Sequence, residues 1–180
     1  KAKSVKPNAK GYLLDMLLST GEQASSVLLA LALEELGVRT AVKTAWQSAI
    51  YTDEAHNDAN IQYIDTSLYF EALKENKVVV VSGFQGISPT GRVTTLGRGG
   101  SDLTAIALAH FLKADRCQVL KTVGPVFRLD PQWVFNEDYI QTLSYGQAYL
   151  FSRLGANIIQ AKAAKFAQIH EVSFEVSHAN

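Results

Sequence analysis

Apolar residues recur at helical spacing near the start of the chain. In GYLLDMLLSTGEQ, Leu13, Leu14, Leu17 and Leu18 follow a helical period, which Ser19-Thr20-Gly21 interrupts. The pattern predicts one helix before that interruption and a second from Glu22 to Leu36, closed by Gly37 just past its end. Val38 to Ala45 reads as a short strand. Residues 50–65 are polar and turn-rich, with a strand piece at Ile61 to Ile64, and Leu68 to Glu75 is helical again. KVVVVS (77–82) is a continuous β-branched run, suited to a strand buried on both faces of a parallel sheet.

Residues 83–100, GFQGISPTGRVTTLGRGG, read as one long glycine-rich loop. Ser101 is expected to cap a helix running to Lys113, with Asp102 in its first turn. A strand over 115–123, an irregular stretch over 125–139, a helix over 144–154 ended by Gly155, and a short helix over 161–168 follow. HEVSFEVS then alternates as a strand does. Alternating strands and helices predict a layered α/β domain over 11–180. KAKSVKPNAK (1–10) holds four lysines, a proline and no apolar period, and is expected to be a linker or trimmed end.

Composition narrows the function classes. Seventeen basic and seventeen acidic residues among 180 leave no net charge, so the basic excess that nucleic-acid binding needs is missing. Cys117 stands alone, which excludes an internal disulfide and suits a reducing cytoplasm; its simplest role is that of a small buried hydrophobe. The longest apolar stretch, VLLALAL (27–33), falls short of the roughly 20 residues of a membrane span, so no membrane partner is expected. His56, His110, His170 and His178 show no ligand spacing with one another or with Cys117, and no metal site is expected. Trp46 and Trp133 are expected to pack, and Tyr63, Tyr69 and Phe70 to belong to the core.

The stretch TTLGRGGSD (94–102) carries the chemistry. A helix N-terminus presents free N–H groups and positive dipole. Glycines let a ligand approach the backbone. Arg98 adds a planar cation that grips a carboxylate through two hydrogen bonds, and Ser101 adds a hydroxyl. This describes an anion site for a carboxylate or a phosphate. Asp102 is discordant there unless it holds a cation. The plain alternative is a glycine hinge, a surface arginine and an ordinary Ser-Asp cap.

STGEQ (19–23), YTD (51–53), VVVVSGFQG (78–86), TTLGRGGSD (94–102) and the DP of 130–131 together resemble the catalytic domain of aspartate kinases, in the amino-acid kinase family. LSY (143–145) and LGA (154–156) match more loosely. The resemblance covers residues 11 to 180. It implies a three-layer α/β/α sandwich with a mainly parallel sheet, here lacking the family's first strand. It implies transfer of the ATP γ-phosphate to the side-chain carboxylate of aspartate, with ATP and Mg as the nucleotide and its metal. By resemblance Glu22 holds the substrate ammonium, Phe84 lines the pocket, and Arg98 binds a carboxylate with Gly99 and Ser101 as loop contacts. Asp102 is the catalytic residue that orients a lysine, which resolves its discord.

The nucleotide side departs from the family pattern. Where the family shows a segment like TDVxGVYTxDP, this chain reads KTVGPVFRLDP, with Lys121 and Thr122 in place of threonine and aspartate, Phe127 in place of tyrosine, and Asp130 kept. Asn157 stands where a GAK-type lysine belongs, and the lysine of a KFGG-type segment is expected to come from elsewhere. Two carboxyl- and phosphate-bearing anions repel unless cations stand between them. Weakened or absent catalysis by this chain alone is therefore expected. The alternative is a pseudo-enzyme, a non-catalytic amino-acid-binding or assembly module derived from an aspartate kinase. The expected partners are an amino acid such as aspartate, and either further copies of the chain in a homo-oligomer or a partner chain that completes the sheet.

Overall fold

The structure, a computed structural model, describes residues 2–75, 77–122, 140–156 and 158–178. The chain divides into two compact units, Lys1–Thr104 and Ala105–Asn180.

The first unit opens with one helical turn, α1 (Ala2–Val5), inside the stretch expected to be a linker. The second helix, α2 (Tyr12–Glu35), runs unbroken through the predicted interruption. The Ser19 and Thr20 hydroxyls donate back to the carbonyls of Met16 and Leu17, at 2.8 and 2.7 Å, so the polar run is satisfied within the helix. The positions of α2 buried against the unit are Asp15, Ser19, Ser26 and Ala30, whereas Leu13, Leu17, Leu28 and Leu31 are exposed. Helix α2 is long and apolar enough to cross a membrane by length and composition alone, which the short VLLALAL run did not suggest. In this fold it lies on strands β1 (Thr40–Lys43), β4 (Val78–Val81) and β6 (Val93–Thr95), with its acid and hydroxyls inward.

Strand β1 pairs in parallel with β4, from Thr40↔Val78 to Lys43↔Val81. Of the four valines of β4 only Val80 is buried, and Val78 is 45% exposed, so the strand is not covered on both faces. A 3₁₀ turn, Ala45–Ser48, leads into β2 (Ile50–Thr52), a three-residue strand inside the stretch read as turn-rich. Strand β2 lies antiparallel to β3 (Ile61–Ile64) and parallel to β5 (Gln85–Ile87). Strands β5 and β6 form an antiparallel hairpin within the segment read as loop. Their inward residues include Gln85, Thr94 and Thr95, so the hairpin carries no apolar alternation for a sequence reading to find. Helix α3 (Ser67–Lys74) buries Tyr69, whose hydroxyl donates to the Ser48 carbonyl and whose pKa burial pushes up. Tyr63 and Phe70, expected in the core, are exposed, as is Trp46, whose Nε1 donates to the Gly91 carbonyl.

Helix α4 (Gly100–Leu112) starts one residue before the predicted cap. The first-turn amides of Asp102 and Leu103 donate to the Gly99 carbonyl at 3.1 and 3.4 Å, so Gly99 occupies the cap and Ser101 lies inside the helix. In the second unit β7 (Gln118–Lys121) and β8 (Glu175–His178) pair in parallel, clipped by Arg116 on Glu175 at 2.5 Å. Cys117 is buried and its thiol pKa is raised by that burial. Helix α5 (Tyr145–Arg153) is capped by Ser144 and packs on α6 (Ala161–His170), whose buried positions are Ala163, Ala164 and Ala167. Three of the five strand pairings among the described residues are parallel, the mainly parallel α/β arrangement expected.

Candidate functional site

Three of the motifs separated in sequence come together in the first unit. The Ser82 hydroxyl donates to the Ser26 hydroxyl at 2.9 Å and lies 3.5 Å from the Glu22 carbonyl, joining β4 to the middle of α2. One residue on, Gln23 Nε2 donates to Gln85 Oε1 at 3.2 Å, joining STGEQ to GFQG. The GFQG turn in its turn touches the start of α4. A Cβ added to Gly83 would lie 3.3 Å from Ser101 Cα, and one added to Gly100 would lie 2.8 Å from Leu96 Cβ and 2.9 Å from Phe84 Cδ2. The Phe84 amide donates to Thr104 Oγ1 at 3.0 Å, and the Leu96 amide to the Phe84 carbonyl at 2.9 Å. Gly100 is therefore a position where only a missing side chain allows the two backbones to meet.

Phe84 sits at φ 70°, the left-handed region that a bulky residue avoids. Its backbone is held there from both sides by the bonds to Thr104 and Leu96, a strained conformation kept by its surroundings. Glu22 is half-buried, Arg98 and Ser101 are exposed, Gly99 is half-buried at φ 71°, and Asp102 is 8% exposed. Among the described residues neither the Glu22 carboxylate nor the Arg98 guanidinium has an ion pair.

On the nucleotide side, Lys121 ends β7, half-buried and in register with His178, and Thr122 after it is exposed. Phe127, Asp130 and Asn157 lie outside the described residues. Among the described residues no group of three or more His, Cys, Asp or Glu could hold a metal ion, so no residue is assigned to Mg.

The sequence reading passed over a second cluster behind the loop. Asp15 is fully buried and accepts from Thr95 Oγ1 at 2.5 Å, from Asn57 Nδ2 at 2.5 Å and from His56 Nδ1 at 2.6 Å. The Asn57 amide adds contacts of 3.2 Å to both carboxylate oxygens. The available signal was a lone acid in the run LLDMLL, since a charge on an apolar face needs partners. Gln85 was also passed over. It is fully buried, and its Nε2 has no partner among the described residues.

The amino acid kinase family profile matches residues 1–175. The chain belongs to the amino acid kinase family. Its similarity within that family is to aspartokinases: it is 44% identical over 175 residues to an aspartokinase of Geobacillus stearothermophilus and 41% identical to aspartokinase 2 of Bacillus subtilis. Each match takes in 97% of this chain and 43% of the relative, so the chain spans less than half the length of these relatives. Among solved structures it superposes on E. coli aspartokinase III in complex with aspartate and ADP with a TM-score of 0.76 at 28% identity, covering 93% of this chain and 38% of that one. It superposes on the aspartate kinase from Synechocystis with a TM-score of 0.79 at 34% identity, covering 98% of this chain and 29% of the other. These similarities establish the amino acid kinase fold, an α/β sandwich, for the chain.

Proposed function

We propose that this chain forms the aspartate-holding part of an aspartate kinase. The observation that carries the reading is the meeting of α2, the GFQG turn and the Gly99–Ser101 loop, and among the described residues neither Glu22 nor Arg98 has an ion pair. Glu22 takes the ligand ammonium and Arg98 grips a carboxylate through its two-pronged face. Gly99 and Ser101 supply the loop contacts, and Phe84 walls the pocket. Asp102, in the first turn of α4, orients a lysine that supports the phosphate. A carboxylate oxygen of aspartate then forms a bond to the γ-phosphorus of ATP as the bond to ADP breaks. A related protein, E. coli aspartokinase III, is described as holding aspartate and ADP, which supports this ligand pair.

In this reading phosphoryl transfer belongs to the longer protein, and turnover by this chain alone is weak or absent. Asn157 in place of a lysine, and Lys121-Thr122 in place of threonine and aspartate, support that part. The same residues favour a second reading, a module that binds the amino acid and transfers nothing. We also propose a cytoplasmic setting, supported by the single cysteine, and assembly as a homo-oligomer or with a partner chain. Among the described residues β1–β4 and β7–β8 are two-stranded sheets, and their open edges support further pairing.

Calorimetric titration with L-aspartate, and separately with Mg·ATP, tests this. The expected result is uptake of aspartate by the wild type and its loss in Arg98→Ala. Equal binding by both would overturn the substrate assignment. Binding of aspartate without ATP would favour the non-transferring reading.

A further inference from the structure

We propose that Asp15, with Asn57 and His56, is a positioning element that sets the Arg98 loop for its carboxylate ligand; the ligand part rests on the aspartate reading above. The loop is held between two surfaces. On one side, Gly100 abuts Phe84 and Leu96, as described. On the other, Gly97 abuts the turn at Asn57 and Asp58: a Cβ at Gly97 would lie 2.7 Å from Asp58 Oδ1 and 3.3 Å from the Asn57 carbonyl. Gly97 is also at φ 78°, so both space and backbone require glycine there. Arg98 is thus carried between two glycines, each pressed against a fixed surface.

The outer surface is fixed by Asp15. Asn57 itself stands at φ 69° and is bound at every polar side-chain atom: Oδ1 accepts from the Gly11 amide at 2.8 Å, and Nδ2 reaches Asp15 at 2.5 Å and the Gly11 carbonyl at 3.3 Å. The same carboxylate takes Thr95 Oγ1, three residues before Arg98, while the Thr95 carbonyl accepts from Ala59 at 2.9 Å. His56, 20% exposed, closes the set from the solvent side. One buried carboxylate therefore ties together the entry to the Arg98 loop, the turn that backs Gly97, and the first turn of α2. A buried charge held by so many donors is costly to disturb and holds its neighbours to one geometry.

Two variants and two readouts test the proposal. Asn57→Gly keeps the left-handed backbone and removes the side-chain ties; Asp15→Asn keeps the shape and turns an acceptor into a donor facing Thr95 and Asn57. Amide hydrogen exchange at Arg98, Gly99 and Gly100 is expected to speed up about tenfold or more in both, with Val80 and Ile106 unchanged. Affinity for L-aspartate is expected to fall about tenfold in each. In an Arg98→Lys background, which loses the two-pronged grip, Asn57→Gly is expected to cost little more. Unchanged loop exchange, acceleration spread equally over Val80 and Ile106 in both variants, or an equal further loss of affinity in the Arg98→Lys background would each overturn the proposal. If the wild type takes up no aspartate, the aspartate reading fails by itself, and loop exchange alone decides whether Asp15 positions the loop.

Discussion

Helices α2 and α6 bury opposite kinds of surface. Helix α2 turns Asp15, Ser19 and Ser26 toward its strands and leaves leucines outside. Helix α6 turns Ala163, Ala164 and Ala167 inward, all fully buried, and packs on α5. Small apolar side chains let two helices approach closely and are tolerant of everything except added volume. A polar stripe contributes less hydrophobic stabilisation, but each hydrogen bond has a direction, so it fixes the register of what it touches. The first arrangement lies under the candidate site and the second lies away from it in sequence. Directional contacts are found where side chains must be placed, and generic packing where only cohesion is needed.

The largest expected effect comes from breaking the polar stripe. Asp15→Ala leaves Thr95, Asn57 and His56 facing a vacated buried acceptor, and should lower stability by about 3 kcal/mol or more. Urea unfolding of variant and wild type measures it; a loss within the ordinary surface range of about 0.5 kcal/mol would erase the contrast between the helices. A middle-sized effect is expected from overfilling α6. Ala164→Leu adds volume where exposure is 0% and should cost about 1–3 kcal/mol by the same unfolding measurement.

The smallest effect concerns pH. In the second unit the His110 and His170 rings lie 4.4 Å apart, beside Phe166. Burial and then the neighbouring His110 hold the His170 pKa below its usual value. The unfolded chain therefore binds a proton more readily, so this contribution is present above the ordinary histidine range near 6.5 and is lost as pH falls below it. Thermal unfolding should show a modest drop in Tm between about pH 7.5 and pH 5 that His110→Gln reduces. A slope unchanged in that variant would show that the pair is not its source.

Much of the element order was legible in the sequence. The β3 strand, α3, the helix α5 and the end of α2 at Gly37 follow from local period and capping chemistry, which depend on neighbours a few residues apart. The unbroken α2 was not legible, because its Ser-Thr-Gly run imitates a helix break until the hydroxyls are seen bonding to their own backbone. The β5–β6 hairpin was hidden for a related reason: Gln85, Thr94 and Thr95 fill core positions with polar atoms. Of the site, the residues of STGE, GFQG and GRGGSD could be named from their pattern. Asp15 and Asn57 could not, since their partners are 42 positions apart and no local spacing relates them.

Residue types and local periods by themselves determined a layered α/β chain with a glycine-rich, arginine-bearing loop at the head of α4, because propensity, capping and charge act over a few residues. Only the tertiary structure decided which face of α2 turns inward, that Gly97 and Gly100 are each pressed against a neighbour, and that Gln23 of α2 meets Gln85 of the GFQG turn. Those outcomes depend on which distant groups can satisfy one another's hydrogen bonds once buried, and that is settled by packing in space.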